Sequence, residues 1–216
     1  MELLIKAYEY LLRNHVRFLE ELQVHLTLSL SALILALMIC IPLGIWCAKN
    51  SKVAAPIMNT INSIRVIPSL AILVIMLPLI GTGFWSALVA LTVLACPPIL
   101  INTFLGFRGI DSAILESASG MGMKPRSVLR KIEFPLAMPL MITGAKTSSV
   151  EVLASASLAA FIGGGGLGTY IINGLSMYKF EVLLVGAIPI ALLTILSEIS
   201  FASVERFTTR YQRDTF

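Results

Sequence analysis

The sequence predicts an all-α membrane protein with about five transmembrane helices, an N-terminal interfacial helix and an ordered cytoplasmic loop. Two properties of the 216-residue chain support this fold class: 57% of its residues are hydrophobic and only 13% are charged. A typical soluble domain has about 25% charged residues and exposes much of its surface to water. The composition, with a mean hydropathy of +0.89, therefore excludes a soluble enzyme. The high apolar content and the net charge of only +4 exclude a disordered chain.

Long runs with few or no charged residues give the predicted spans. In chain order they are Leu22–Ala48, Val53–Ile80, Phe84–Phe107, Phe134–Ile162 and Val182–Val204. The first run contains no Asp, Glu, Lys or Arg over its 27 residues. It therefore exceeds the roughly 7–15 residues of a signal-peptide core and the roughly 20 that a span needs. Arg65 and Pro68 interrupt the second run, which predicts a kink or a shallow first part, and Gly163–Gly166 ends the fourth.

Residues 1–21 predict a short amphipathic helix on the outer membrane surface. Their apolar side chains follow helical spacing into the first span: Leu4, Tyr8, Leu11, Phe18 and Leu22. A frayed polar leader is the alternative interpretation.

Basic residues predict the orientation, because cytoplasmic segments are enriched in Lys and Arg. If the polar interval 108–133 and the C-terminal tail are cytoplasmic, ten basic residues face the cytoplasm: Lys49, Lys52, Arg108, Lys124, Arg126, Arg130, Lys131, Arg206, Arg210 and Arg213. Four then face outward: Lys6, Arg13, Arg17 and Lys179. This ratio predicts an N-terminus outside and a C-terminus in the cytoplasm.

The interval 108–133 reads as two short helices joined by a glycine elbow. Asp111 suits a helix start, and Gly120 or Gly122 suits the end of that helix through a positive φ. Pro125 suits the first turn of a second helix that returns to the membrane. An ordered knob of this kind can sit in the groove of a partner protein.

The motif in this interval resembles the EAA loop of bacterial ABC importer permeases. It consists of Glu116-Ser117-Ala118, three residues, Gly122, nine residues, Ile132, one residue and Phe134-Pro135. The spacing fits throughout, with Ser117 in place of an alanine and Phe134 in place of a leucine. Interval 108–133 is therefore called the coupling loop below.

Further segments resemble glycine betaine/carnitine/choline (osmoprotectant) permeases of the MetI-like superfamily. They are His25–Ser29, Ile41–Ile45, Ile67–Ala71, Asn102-Thr103, Ser157–Ile162 and Gly163–Gly168. The resemblance covers residues 22–206 and implies a MetI-like transmembrane domain there, after the N-terminal segment 1–21 and before the cytoplasmic tail 207–216. Three departures concern the choice of substrate: Ile101 and Lys146 stand where such permeases usually have Arg, and 153–156 differs from their usual Ile-Gly-Trp-Ala.

The resemblance implies a transport subunit in the lipid bilayer of the bacterial cell membrane, working by alternating access. Its partners would be separate ATPase subunits, a second permease subunit, identical or different, and an extracellular substrate-binding protein, with no nucleic acid. ATP and Mg²⁺ would be bound by the partner ATPase, and the chain itself contains no GxxxxGK[ST] phosphate loop. The ATPase-coupling residues implied by the resemblance are Glu116, Ser117, Ala118, Gly122, Arg126, Ile132 and Pro135. Plain membrane anchoring is an equally good interpretation of Arg126.

Polar and ionisable residues within spans mark candidate path or gate positions. They are Ser69, Asn102, Lys146, Ser149 and Glu151. The glycine run, Gly163, Gly164, Gly165 and Gly166, is a further candidate, as a flexible outer gate or a place where backbones pack closely. Lys146 and Glu151 do not share a helix face, and each has an alternative role in pairing with a neighbouring span or a partner subunit. The glycine run is alternatively a plain turn. The spacing of Cys and His predicts no metal site.

With only 8% aromatic residues, the spans show no aromatic cage for a quaternary ammonium ligand, so recognition is expected in the separate binding protein. The alternatives are a permease for methionine or another amino acid, a secondary transporter or channel, and a membrane anchor or assembly factor.

Overall fold

The computed structural model describes the backbone of residues 2–213 and the side chains of 2–206 and 208. The α-helices of this part of the chain are α1 (Glu2–Arg13), α2 (His15–Lys49), α3 (Ser51–Ile64), α4 (Ser69–Ile80), α5 (Phe84–Arg108), α6 (Ser112–Gly120), α7 (Pro125–Val128), α8 (Phe134–Ala156), α9 (Gly168–Ser176) and α10 (Phe180–Arg213). A π-helical turn (Leu129–Glu133) precedes α8, and a 3-10 helix (Ser157–Ile162) follows it.

The first predicted span lies within α2, a single helix of 35 residues that is about 52 Å long at 1.5 Å per residue. Residues 15–21 belong to this helix, so the predicted end of the N-terminal helix at residue 21 is wrong. Only α1 forms the separate amphipathic helix. It packs against α10 and buries Ala7, and its place on the outer membrane surface stays a prediction.

The second predicted span is broken where the sequence indicated a kink. Helices α3 and α4 meet at an angle of 99°, because Pro68 cannot continue the helical hydrogen bonding and disfavours helical geometry in the residue before it. With 14 and 12 residues, each half is shorter than the roughly 20 residues that a span needs.

The other predicted spans correspond to α5, to α8 with its 3-10 extension, and to α10. In the described part of the chain, three helices are long and apolar enough to span a membrane, namely α2, α5 and α10 as far as Arg206. The bent pair α3 and α4 would be a fourth if the two helices cross as one span. Helix α8, which corresponds to the predicted span Phe134–Ile162, completes the five predicted spans. It has 23 residues but is more polar, because it carries Lys146 and Glu151.

Helices α2, α5 and α8 form the centre of the molecule, where glycines allow close contact between backbones. A Cβ atom on Gly144 of α8 would lie 2.8 Å from the Pro98 carbonyl oxygen of α5, and one on Gly44 of α2 would lie 2.8 Å from the Thr103 side chain. The Ser148 hydroxyl donates a hydrogen bond to the Ala95 carbonyl at 3.0 Å. Small residues and a hydroxyl bond of this kind replace the hydrophobic driving force, which is weak between helices in lipid.

The remaining helices pack on the outside of this centre. Helix α4 packs on α5, and α10 packs on both α8 and α9. The chain after α8 turns at Gly163, Gly165 and Gly166, whose φ angles are +77°, +74° and +86°. Glycine is the residue best suited to such positive φ values, so the predicted stop of the fourth span is confirmed.

Candidate functional site

The coupling loop begins with a capped helix, as the sequence predicts. The Asp111 carboxylate accepts a hydrogen bond from the backbone N–H of Ala113 at 2.9 Å, which satisfies one of the free donors at the start of α6. Within α6, Ser117 donates to the Ala113 carbonyl at 2.7 Å. Ala118 is buried and Glu116 is exposed on the same helix, so α6 has one packed side and one open side.

Gly122 forms the elbow that the sequence assigned to it. Its φ is +77°, and two backbone bonds close the end of α6: the Gly122 N–H donates to the Ser119 carbonyl at 3.0 Å and the Met123 N–H donates to the Ala118 carbonyl at 3.2 Å. This pair of bonds is the Schellman motif, which needs a left-handed residue at the position of Gly122. Gly120 has no positive φ and is simply the last residue of α6, so of the two glycines only Gly122 makes the turn.

The return to the membrane depends on two prolines. Pro125 occupies the first turn of α7, where its missing N–H costs nothing. Pro135 lies in the first turn of α8, directly after the π-helical turn that contains Ile132. A proline lacks the N–H that would bond to residue i−4 and its ring crowds that carbonyl, here Lys131. The wider π-helical turn accommodates this proline without breaking the helix.

An ion pair that the sequence analysis missed fastens the coupling loop to the bundle. The Lys49 ammonium at the end of α2 lies 2.9 Å from the Glu133 carboxylate in the π-helical turn. The Glu133 side chain is only 12% exposed, so this contact is better shielded from water than a surface pair. The two residues are far apart in the sequence, and no local pattern links them.

Beyond this anchor, the loop presents a mixed surface outward. Glu116, Arg126 and Lys124 are exposed, and Met121 at the elbow is 75% exposed. Ile132 and Pro135 are half-buried where the loop meets the bundle. The residues of the motif therefore divide into an exposed set at the tip and a packed set at the base.

Lys146 points towards α10 in the structure. Its ammonium lies 2.9 Å from the Glu205 carboxylate and 3.7 Å from that of Glu198. The Thr143 hydroxyl donates to the other oxygen of Glu205 at 2.8 Å. Lys146 therefore has the role in pairing with a neighbouring helix that the sequence analysis held open. Both of its partners come from the last described helix of the chain.

The other polar candidates do not converge on one cavity. Ser149 bonds to Ser197 of α10 at 2.9 Å and to the Lys146 carbonyl at 2.8 Å. Asn102 donates to the Pro98 carbonyl of its own helix at 2.8 Å. Ser69 is half-buried at the start of α4, whereas Glu151 is exposed.

The glycine run packs against the N-terminal half of α2 and the start of α5. The Gly166 N–H donates to the Glu21 carboxylate at 2.7 Å, and the Gly83 N–H donates to the Ile162 carbonyl at 2.9 Å. A Cβ on Gly164 would lie 2.9 Å from the Ala87 side chain. The run therefore makes close contacts with both α2 and α5, and Glu21 is a second residue that the sequence analysis missed.

Comparisons with known proteins agree with this geometry. The family model described as the binding-protein-dependent transport system inner membrane component matches residues 40–210. The choline transport system permease protein OpuBB of Bacillus subtilis (strain 168) is 41% identical over 208 residues, which cover 96% of this chain and 89% of that protein. The carnitine transport permease protein OpuCB of Listeria monocytogenes is 39% identical, over 88% of each chain.

The fold itself is similar to that of a methionine transporter. A chain of the MetNI methionine ABC transporter, described as inward facing, superposes with a TM-score of 0.81 over 93% of this chain and 98% of that chain, at 22% identity. This likeness confirms the all-helical MetI-like fold predicted from the sequence. From the family match, the relatives and the fold together, the chain belongs to the binding-protein-dependent transport system inner membrane component family.

Proposed function

We propose that this chain is the membrane-spanning permease subunit of an ATP-driven importer for quaternary ammonium compounds such as choline, glycine betaine or carnitine. The observation that carries the proposal is the 41% identity to a choline permease over 96% of the chain. Similarity that extends from end to end includes the helices, the coupling loop and the glycine run together. It supports a shared mechanism better than any isolated motif.

The coupling loop provides the contact with the ATPase subunits. Its tip exposes Glu116, Met121 and Arg126, and its base is held by the Lys49–Glu133 ion pair. A knob that is open at the tip and anchored at the base can dock on a separate ATPase and pass displacement to α2 and α8. ATP and Mg²⁺ are bound by that ATPase in this proposal, and two permease subunits enclose the path between them.

The path and its gates use residues from several helices. Of the predicted candidates, Glu151 is the charged side chain that stays open, whereas Lys146 and Ser149 hold α8 against α10. The glycine run 163–166 holds the outer ends of α2 and α5 close to the end of α8. Nucleotide-driven motion would alternate between inward and outward openings by biasing two packings of these helices. A separate extracellular protein delivers the substrate.

Uptake by the complete transporter tests the proposal. In cells without other uptake systems for these compounds, the wild-type complex should accumulate radiolabelled choline, glycine betaine or carnitine, and substitution of the partner ATPase's catalytic residues should abolish uptake. Transport of methionine or another amino acid, with none of the three compounds taken up, would contradict the substrate class. Uptake that persists without ATP hydrolysis would instead indicate a secondary transporter or channel.

A further inference from the structure

A pocket with a volume of about 290 Å³ lies where α2, α3 and α5 meet, at the coupling-loop end of the bundle. Among its lining residues, Cys47 of α2 and Ala54 of α3 are buried. Met58 and Phe104, from α3 and α5, are half-buried. The inner part of the pocket is therefore apolar and is built by side chains from three different helices.

The pocket lies at the depth where two predicted spans end. Cys47 is the last residue but one of the apolar run Leu22–Ala48, and Arg108 is the first residue after the run Phe84–Phe107. An arginine at the end of a span extends its guanidinium towards the lipid headgroups, while its methylene groups stay with the acyl chains. The pocket therefore crosses the boundary between the hydrocarbon and the headgroups.

The exposed side of the pocket is positively charged. Arg108 and Ser51 line it and are exposed, and the exposed Lys52 follows Ser51. Within the described part of the chain, neither the Arg108 guanidinium nor the Lys52 ammonium forms an ion pair. The acidic residue closest to Arg108 along the chain is Asp111, whose carboxylate accepts the capping hydrogen bond of α6. The positive charge beside the pocket is therefore available to an anion.

We propose that this pocket binds an anionic phospholipid, with the phosphate at Arg108 and Lys52 and part of one acyl chain against Met58 and Phe104. A guanidinium can donate two parallel hydrogen bonds to a phosphate, and basic pockets between membrane-spanning helices bind lipid headgroups. A free phosphate or a nucleotide would use the charge but gain nothing from the apolar walls. The inference goes beyond the proposed function, because it concerns the surrounding lipid and does not depend on the transported compound.

Native mass spectrometry of the complete transporter tests the site. The complex in detergent is titrated with dioleoyl phosphatidylglycerol, which is anionic, or with dioleoyl phosphatidylcholine, which is zwitterionic and has the same acyl chains. The wild-type complex should bind phosphatidylglycerol about tenfold more tightly. Arg108→Gln should weaken phosphatidylglycerol binding by about tenfold, the loss expected for one charge contact, and leave phosphatidylcholine binding within about twofold. Arg108→Lys, which keeps the charge without the paired donors, should lie between the two.

Two further variants separate the pocket from a general effect of charge. Ala55→Phe places a large side chain in the pocket from an exposed position and should weaken phosphatidylglycerol binding with every charge retained. Lys124→Gln removes an exposed charge of the coupling loop that does not line the pocket and should change nothing. The mass of each variant complex shows whether the ATPase subunits are still bound, which distinguishes a lost lipid from lost assembly.

Three results would overturn the inference. The first is equal binding of the two lipids by the wild-type complex, and the second is unchanged phosphatidylglycerol binding in Arg108→Gln or Ala55→Phe. The third is displacement of phosphatidylglycerol by an equal concentration of glycerol 3-phosphate, because the phosphate alone would then account for binding. A loss in Lys124→Gln as large as that in Arg108→Gln would also contradict a localised site.

Discussion

At the residue scale, single backbone conformations and single charges determine how the loops of this permease are held. Gly122 has a left-handed φ of +77° and open space around it, so its identity matters for conformation and not for packing. For Glu21 the side chain itself matters, because its carboxylate accepts the hydrogen bond from the Gly166 N–H at 2.7 Å. Each of these two residues supports a prediction, and the same substitution at a neighbouring residue of the same type serves as its control.

Gly122→Ala should loosen the elbow of the coupling loop. An L-residue in the left-handed region costs about 1–2 kcal/mol, and the loop should become more sensitive to trypsin at Arg126 and Arg130 and lose transport activity. Gly122→Asn should be milder, because Asn tolerates this conformation. Gly120→Ala is the matched control, since Gly120 is helical and unobstructed. Equal effects of the two alanine variants would contradict the elbow's dependence on φ.

Glu21→Ala should release the glycine run from α2. A buried N–H left without its acceptor costs about 1–3 kcal/mol, so amide hydrogen exchange at residues 163–168 should accelerate. Glu20→Ala removes an exposed neighbouring carboxylate and should leave this exchange unchanged. No acceleration in Glu21→Ala would show that other contacts hold the glycine run.

At the element scale, the helices differ in how much of their geometry follows from sequence. The limits of α5 were predicted to within one residue, because a long apolar run between a glycine turn and an arginine has clear ends. The break at Pro68 was predicted as a kink, but its 99° angle depends on packing. The Asp111 cap, the Gly122 turn and the Pro125 start of α7 were also predicted, since each is a local rule of backbone geometry.

Gly144→Ala should disturb the contact between α5 and α8. The new Cβ would lie 2.8 Å from the Pro98 carbonyl oxygen, a backbone atom that cannot move aside alone, and overpacking of this kind costs about 1–3 kcal/mol. The thermal unfolding midpoint in detergent should fall. Gly120→Ala again serves as the control, and an unchanged midpoint for Gly144→Ala would mean that the two helices separate at little cost.

At the scale of the whole molecule, contacts between distant residues explain what the sequence could not reveal. Lys49 meets Glu133, Lys146 meets Glu205, and Gly166 meets Glu21 across 145 positions. No local pattern encodes such pairs, because they exist only after the helices have assembled. The sequence analysis therefore located the polar residues of the spans but could not separate Lys146, which joins two helices, from Glu151, which stays open.

The predicted orientation can be checked on the intact protein. With the N-terminus outside, Ser119→Cys in the coupling loop should react with a membrane-impermeant maleimide only after the cells are opened, whereas Tyr178→Cys should react in intact cells. Both positions are exposed. The parent chain provides the blank, since Cys40 and Cys47 are buried and Cys96 is half-buried. The opposite labelling pattern would contradict the predicted orientation and indicate an N-terminus in the cytoplasm.

The uninterrupted course of α2 has a consequence for how the two mouths of the path communicate. Near one end of this helix, Glu21 accepts a hydrogen bond from the glycine run, and at the other end Lys49 forms an ion pair with the base of the coupling loop. At 1.5 Å per residue, Glu21 and Lys49 are on the order of 40 Å apart along this one helix. A tilt of α2 about its middle would move its two ends in opposite directions. The same motion would then close one end of the path and open the other.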